Sequence, residues 1–392
     1  MKQTKFVADE TNKVFGIYAD AAATTPTDAR VADLIRHLMT EEYGNAGSHT
    51  HAYGARAQQE VQLARRRLAV AAGANPDEII FTSGATEANN LAILGLAQHG
   101  QATTRRHIVT TEIEHKAVLE PVAELEQRGF KVTRIAPDSK GHVAAADVLG
   151  AIRPDTVLVS VMHANNETGA VQPIDEIARE LPSSGPFFHV DAAQSFGRLN
   201  AMLRHARIDL VSISGHKIFG PKGVGALITR RRDGQRLPIR PLMFGGGQEW
   251  GLRPGTLPVP LVAGFGLACE LAERESAGRS ARCLAMRMEA LQALNALGAK
   301  VHADPSLGVL PNILSFAIPG LDSEAVMVAT KDLVAMSNGS ACTSSRYEAS
   351  HVLKAMALDP DLIAGTIRLS WTHETPSIPW GELIVRLDDI RL

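Results

Sequence analysis

Cysteine is scarce, with three in 392 residues, at positions 269, 283 and 342. An odd count at wide, irregular spacing excludes a disulfide framework, and no cysteine–histidine spacing suits a structural zinc. Excess charge is missing too. The chain has 40 basic against 42 acidic side chains, a formal net charge of -2. That balance gives no electrostatic footprint for direct binding to a nucleic acid or a membrane. The short runs Arg65-Arg66-Arg67 and Arg230-Arg231-Arg232 read as solvated faces. No apolar run approaches the roughly 18 residues of a spanning helix, and the first residues lack the charged-then-apolar order of a signal peptide. Repeats, low-complexity tracts and the phosphate loop G-x-x-x-x-G-K-[ST] are also absent. These absences lead us to expect a soluble protein of a reducing compartment, the cytoplasm. The length allows one to three domains with a large core.

What is present alternates. Between about residues 60 and 230, short β-rich runs at 79–81, 107–110, 157–162, 187–190 and 210–214 are separated by segments such as 87–98 and 117–128, whose apolar residues recur at helical spacing. Strand–helix alternation predicts an α/β fold with a mostly parallel, buried sheet. From about residue 270 the texture changes to a long helical stretch, 269–297, then an apolar run at 313–318 and mixed elements. The division expected is a large α/β domain over 26–268 and a smaller α+β domain made from 1–25 and 269–392.

Polar clusters follow the apolar runs in order: "TSGATEAN", "TEIEHKAV", "HANNETGA", "DAAQS" and "GHKIFGPKG". Each falls just past the carboxyl end of its run, the edge at which open α/β sheets bind ligands. Gly84 and Ala85 come just before a helix expected to start near Glu87; their amides and that helix end, with a hydroxyl from Thr86 or Ser83, hold a phosphate or merely form an ordinary cap. Asp191 ends an apolar strand and needs a cationic or donor partner; a protonated pyridine nitrogen would serve, and so would a cap on the next helix. His115 taken alone reads as a packed or capping ring. Lys217 lies between a histidine and an apolar pair. Such walls lower an amine's preference for charge, and a neutral amine forms a Schiff base with an aldehyde. Lys222, between Pro221 and Gly223, reads as a turn residue open to water. Cys342 stands among Gly, Ser, Ala and Thr on a loop, a setting for a nucleophile or for an incidental thiol. Cys269 and Cys283 fall in helical patterns as small core residues.

Taken together, "SGHKIFGPKGVGAL", "TSGATEANNLAI", "HANNETGAVQPI", "HVDAAQS", "GLRPGTLP" and "NGSACTSS" resemble the cysteine desulfurases, relatives of the class V aminotransferases, over roughly residues 17–375. The resemblance implies a homodimer of fold-type I subunits, each with a seven-stranded, mainly parallel sheet, and pyridoxal 5'-phosphate as cofactor. It implies that Lys217 binds the cofactor aldehyde, Asp191 pairs with the pyridine nitrogen, and Gln194 meets the ring hydroxyl. His115 stacks on the ring and moves protons. Ala85, Thr86, Ser214 and His216 hold the phosphate, with Thr256 coming from the other subunit. Asn165 and Arg368 grip the substrate carboxylate, with Asn45 nearby, since an arginine fork matches a carboxylate. L-Cysteine then gives L-alanine, and its sulfur leaves as a persulfide on Cys342 for an acceptor protein, a component of iron–sulfur assembly or of DNA modification. Ala46, His49 and Pro254 depart from the family pattern without touching these roles. The variant "RPGT" and the short tail resemble members that serve DNA phosphorothioation. A selenocysteine lyase or another class V relative would keep Lys217 and Asp191 without needing Cys342, and a non-catalytic platform would keep the fold alone.

Overall fold

The computed structural model describes residues 16–338 and 349–391. Cys342 and the assignment made to it lie outside them. The five strands expected from the apolar runs all belong to one seven-stranded sheet. Its spatial order is Ile79–Thr82, Gly225–Thr229, Leu210–Ser214, Phe187–Asp191, Thr156–Ser160, His107–Thr111 and Lys131–Ile135. Gly225–Thr229 runs antiparallel to both its neighbours; the other pairs are parallel. Six of these strands are buried end to end, and five of the six read as continuous apolar runs rather than alternations for that reason. Lys131–Ile135 escaped notice because it is the edge strand and its first four residues are polar or partly exposed. Gly225–Thr229 was hidden by the glycine-rich segment before it. Gly225 is needed there, since a Cβ would meet Ile213 O at 2.4 Å and Gly84 Cα at 2.7 Å.

A second, three-stranded antiparallel sheet is formed by Thr366–Ser370, Ile313–Ala317 and Lys300–Val301. Ile17–Tyr18 pairs in parallel with Val334–Ala335. The helix Val259–Asn295, 37 residues long, joins the two regions. Its first half places Val262, Phe265 and Cys269 in the core of the large sheet. Its second half places Cys283, Met286 and Leu294 in the core of the small one. The boundary drawn at 268/269 therefore falls inside one continuous helix. Among the described residues no helix is long and apolar enough to cross a membrane.

The two basic runs are not solvated faces throughout. Arg65 is buried, ion-paired with Glu249 and stacked between the rings of Phe81 and Trp250, each 4.7 Å from its guanidinium carbon. Arg230 is buried as well, donating to the carbonyls of Ile208, Ala72 and Leu203. Arg66 and Arg231 remain outside the core. A run of like charges reports exposure only when the whole run shares one face, and successive residues of a helix or strand do not.

Candidate active site

The polar clusters converge as the strand order predicts. Residues after the strands ending at Thr82, Thr111, Ser160, Asp191 and Ser214 line one cavity of about 560 Å3 at the carboxyl edge of the sheet. Lys217, Asp191, His115, Gln194, Ala85, Thr86, Ser214, His216 and Arg368 all lie on its wall.

Lys217 sits on the short turn Gly215–Lys217 directly after a strand. Its ammonium donates to the carbonyls of Ala22 and Ala23, to the latter at 2.8 Å. Lys222 borders the same cavity but is exposed, so of the two amines only Lys217 is drawn inward. Asp191 accepts from Asn89 Nδ2 at 2.7 Å on one oxygen and from Ala193 N at 2.9 Å on the other. His115 caps the helix Lys116–Gln127, its Nδ1 accepting from Ala117 N at 3.1 Å. In the neutral ring the proton is then on Nε2. Burial, and then Lys217 and His351, hold this imidazole below its ordinary value, against the pull of Asp191. His216 is pushed down to about 4, first by burial and then by Lys217 and Lys222. Gln194 donates to Ala22 O at 2.9 Å.

Arg368 is 1% exposed. Its Nη2 pairs with Asp20 at 2.6 Å and its Nη1 donates to Asn166 O at 3.0 Å. Two expectations are corrected here. Asn165 is not on the cavity wall: it is fully buried, its Nδ2 donates to Ile113 O, and its Oδ1 accepts from Glu167 N and Thr168 N. An Asn spent on its own turn has no amide left to offer, and it is Asn166 that lines the cavity. Asn45 is not beside Arg368 of its own chain either. It shares a separate cavity of about 320 Å3 with Thr256, whereas Thr256 had been assigned to a partner subunit from the start.

Asp20, Asn89 and Glu114 were missed. Asp20 was legible as an acid followed by the small residues of "DAAATTP", a segment set close against the lysine. Asn89 lies on the helix of the first cluster, one turn past Thr86, and so on its inward face. Glu114 gave no signal beyond its place next to His115. Among the described residues no group of acids, histidines and cysteines is placed to hold a metal ion.

This arrangement, an amine and a carboxylate at the edge of a parallel sheet with a guanidinium across the cavity, has counterparts. The model of the aminotransferase class-V family matches residues 17–376, and the chain belongs to that family, whose members use pyridoxal phosphate. Within it the chain falls among the cysteine desulfurases. It is 46% identical over 353 residues to cysteine desulfurase IscS of Anaeromyxobacter sp., covering 90% of this chain and 86% of that protein. Among solved structures it is 48% identical to DndA from Streptomyces lividans, with a TM-score of 0.79 over 91% of this chain and 99% of that one. It is also 35% identical to SspA in complex with cysteine, with a TM-score of 0.80 over 92% and 100% of the two chains. Cysteine desulfurases act on cysteine and pass its sulfur to acceptor proteins.

Proposed function

We propose that this chain converts L-cysteine to L-alanine in the cytoplasm as a homodimer that binds pyridoxal phosphate at Lys217. The sulfur leaves as a persulfide on Cys342, for a DNA-phosphorothioation system. The observation that carries the reading is that Lys217, Asp191 and Arg368 share one cavity. Three features of the site fit the cofactor. Asp191 is buried with both oxygens already served by N–H donors, so it is set up as an anion for a pyridinium. The start of the helix Ala85–Leu94 is lined by Gly84, Ala85 and Thr86, with Ser214 and His216 opposite, a set of donors for a phosphate. The main-chain carbonyls of Ala22 and Ala23 hold the amine of Lys217 inside.

When bound, the cofactor supplies an electron sink that loosens the bonds at the substrate's α-carbon. The rest is the work of the chain. Asp191 keeps the ring nitrogen protonated. Arg368 receives the substrate carboxylate, oriented by Asp20 and by the carbonyl of Asn166. Lys217 takes and returns the proton at the α-carbon, and His115, held neutral by burial, moves protons beside it. The Cys342 thiolate attacks the substrate sulfur. The electron pair of the broken carbon–sulfur bond stays with carbon, which takes a proton on the way to alanine. Asn45 and Thr256 complete the site from the second subunit. Their segments also expose Tyr43, Tyr53, Phe244 and Trp250, an apolar surface of the kind a subunit interface buries.

The 48% identity to DndA supports the choice of acceptor. The test is persulfide transfer. The purified protein, loaded with 35S-labelled cysteine, is offered an iron–sulfur scaffold, a tRNA thiouridylase and whatever co-purifies with it. Label on a DNA-modification component supports the reading. Label on the scaffold alone overturns the pathway. Alanine formation undiminished in Cys342→Ser, with the physiological acceptor present, overturns the thiol assignment.

A further inference from the structure

A second cavity, of about 50 Å3, lies behind Lys217. There the residues just after the lysine and the loop at 197–199 meet the long helix Val259–Asn295. Arg198 connects this cavity to the first one. Its Nη1 donates to Gln194 O at 2.9 Å and its Nη2 to Lys217 O at 3.0 Å. These carbonyls accept hydrogen bonds but do not neutralise the charge, and no carboxylate pairs with Arg198 among the described residues. Burial pushes its guanidinium down to about 10; Cys283 on the same wall draws it back up, and Arg279 adds repulsion. Arg279, also on the wall, differs: it has carboxylate partners, Glu275 at 2.7 Å and Asp28 at 3.8 Å, which it shares with Arg30 and, at Glu275, with Arg274. On this wall Arg198 is therefore the guanidinium that has no carboxylate partner among the described residues. Asn312 also lines it. It is 2% exposed, and neither its amide nitrogen nor its amide oxygen has a hydrogen-bond partner.

We propose that this cavity is a binding site for a small organic monoanion, a carboxylate with a short alkyl body, held by Arg198 and Asn312. A single carboxylate would supply the counter-charge that Arg198 lacks. A buried cation without a counter-ion is costly, and an arginine fork answers a carboxylate with two parallel hydrogen bonds. The volume is that of about four water-sized spheres at roughly 10–15 Å3 each, the size of a few heavy atoms. Ile218, Phe219 and Trp371 give the wall an apolar part beside Ser276, Ser280 and Thr372, and that part suits an alkyl group and penalises a strongly hydrated dianion. The site does not depend on the desulfurase reading. Its occupancy is nonetheless felt at the first cavity, because the same guanidinium holds the main chain of Gln194 and Lys217.

The experiment uses the cofactor-loaded protein and sodium propionate, exchanged for chloride at constant ionic strength, with the thermal midpoint and the cofactor absorbance followed together. The wild type is expected to gain about 2–4 °C saturably, with a small spectral shift that saturates in parallel. Arg368→Gln, which removes the carboxylate-binding arginine of the first cavity, should keep the gain. Ser280→Trp, a change at an exposed helix position on the cavity wall, should abolish it by filling the space. Sulfate at the same ionic strength should give no saturable gain. The proposal is overturned by an absent gain in the wild type, by a gain retained in Ser280→Trp, by one lost in Arg368→Gln, or by a stronger effect of sulfate. A crystal grown in propionate decides independently of either variant. Density between Arg198 and Asn312 supports the site, and its absence at saturating propionate removes it.

Discussion

Asp191 on the cavity wall and Glu114 in the layer behind it are buried acids at the same edge of one sheet, yet they are served differently. Asp191 receives an N–H on each oxygen, from Asn89 and from Ala193. Glu114 receives both of its donors, Thr111 Oγ1 and Met162 N, on Oε1, each at 2.8 Å, and Oε2 has none. Burial pushes the Glu114 carboxyl up to about 8, and the charge on Asp191 adds to the rise. The wall thus reserves its negative charge for whatever enters the cavity. The layer behind keeps its acid neutral near pH 7, where a second anion would repel the first.

The sharpest way to break this contrast is to exchange each acid for its amide. Asp191→Asn removes the anion that faces the cavity. We expect the yellow colour of the cofactor-loaded protein to weaken and alanine production to fall by about 10²–10³-fold or more. Glu114→Gln keeps an oxygen for Thr111 and Met162 and should leave alanine production within about 3-fold, since the carboxyl it replaces is already neutral. Equal losses in the two variants would mean that the layers do not differ in role. Next in size is Arg368→Gln. It leaves a substrate carboxylate facing no cation, a loss of about 2–5 kcal/mol, read as a rise in KM for cysteine with a smaller change in kcat. An unchanged KM would remove Arg368 from substrate binding.

The parts legible from sequence share a cause. Strands buried on both faces are continuous apolar runs, so five of the seven sheet strands could be read, and with them the edge where the polar clusters gather. Lys217 and Asp191 could be singled out because each puts a charged group where an apolar pattern does not favour one, whereas His115 taken alone reads as a packed or capping ring and gains a role only through the family resemblance. Asp20 stands out locally as the acid of "DAAATTP", but its pairing with Arg368, 348 residues away, is made by tertiary packing that no local pattern announces. Asn165 and Asn166 are adjacent and identical, so only the turn geometry decides which side chain is consumed and which lines the cavity. The two arginine runs misled for the same reason: Arg65 and Arg230 are buried by partners distant in sequence.

A smaller effect sharpens the comparison through stability. The folded-state value of Glu114, about 8, lies above the ordinary 4.5, so the folded protein binds that proton more tightly than the unfolded chain. The stability this lends is whole below about 4.5 and is lost as pH rises through about 8. Glu114→Gln should therefore raise the thermal midpoint at pH 9 by about 2–4 °C relative to wild type, raise it by less at pH 6, and change it little at pH 4.5. The buried histidines act at the other end. Burial holds His189 and His302 at about 4 and His163 at about 3, against an ordinary 6.5. The unfolded chain takes up these protons first, so stability falls as pH drops from 6.5 towards 4. Midpoints measured from pH 4 to 10 should form a dome, with only the alkaline side flattened in Glu114→Gln. A parallel shift of the whole curve would place the effect in packing rather than in the proton.

Glu167 provides the intermediate case and the smallest expected change. It is buried, and burial raises its carboxyl, while the Ser350 hydroxyl and then His351 and Arg368 draw it back down. Ser350 Oγ donates to Glu167 Oε2 at 2.5 Å and accepts from Leu353 N at 3.1 Å, capping the helix His351–Ala355. One hydroxyl thus joins that helix to the turn whose Asn166 carbonyl holds Arg368. Ser350→Ala should cost about 1 kcal/mol for the lost cap, plus a part that comes from leaving the acid without its donor. The two parts separate in a double-mutant cycle. With Glu167→Leu in the background no acceptor remains, so the second part disappears and Ser350→Ala should cost the cap alone. Chemical denaturation at pH 7 measures the four proteins of the cycle. A Ser350→Ala cost identical in both backgrounds would show that the hydroxyl serves the helix only, and that Glu167 is neutral for the same reason as Glu114.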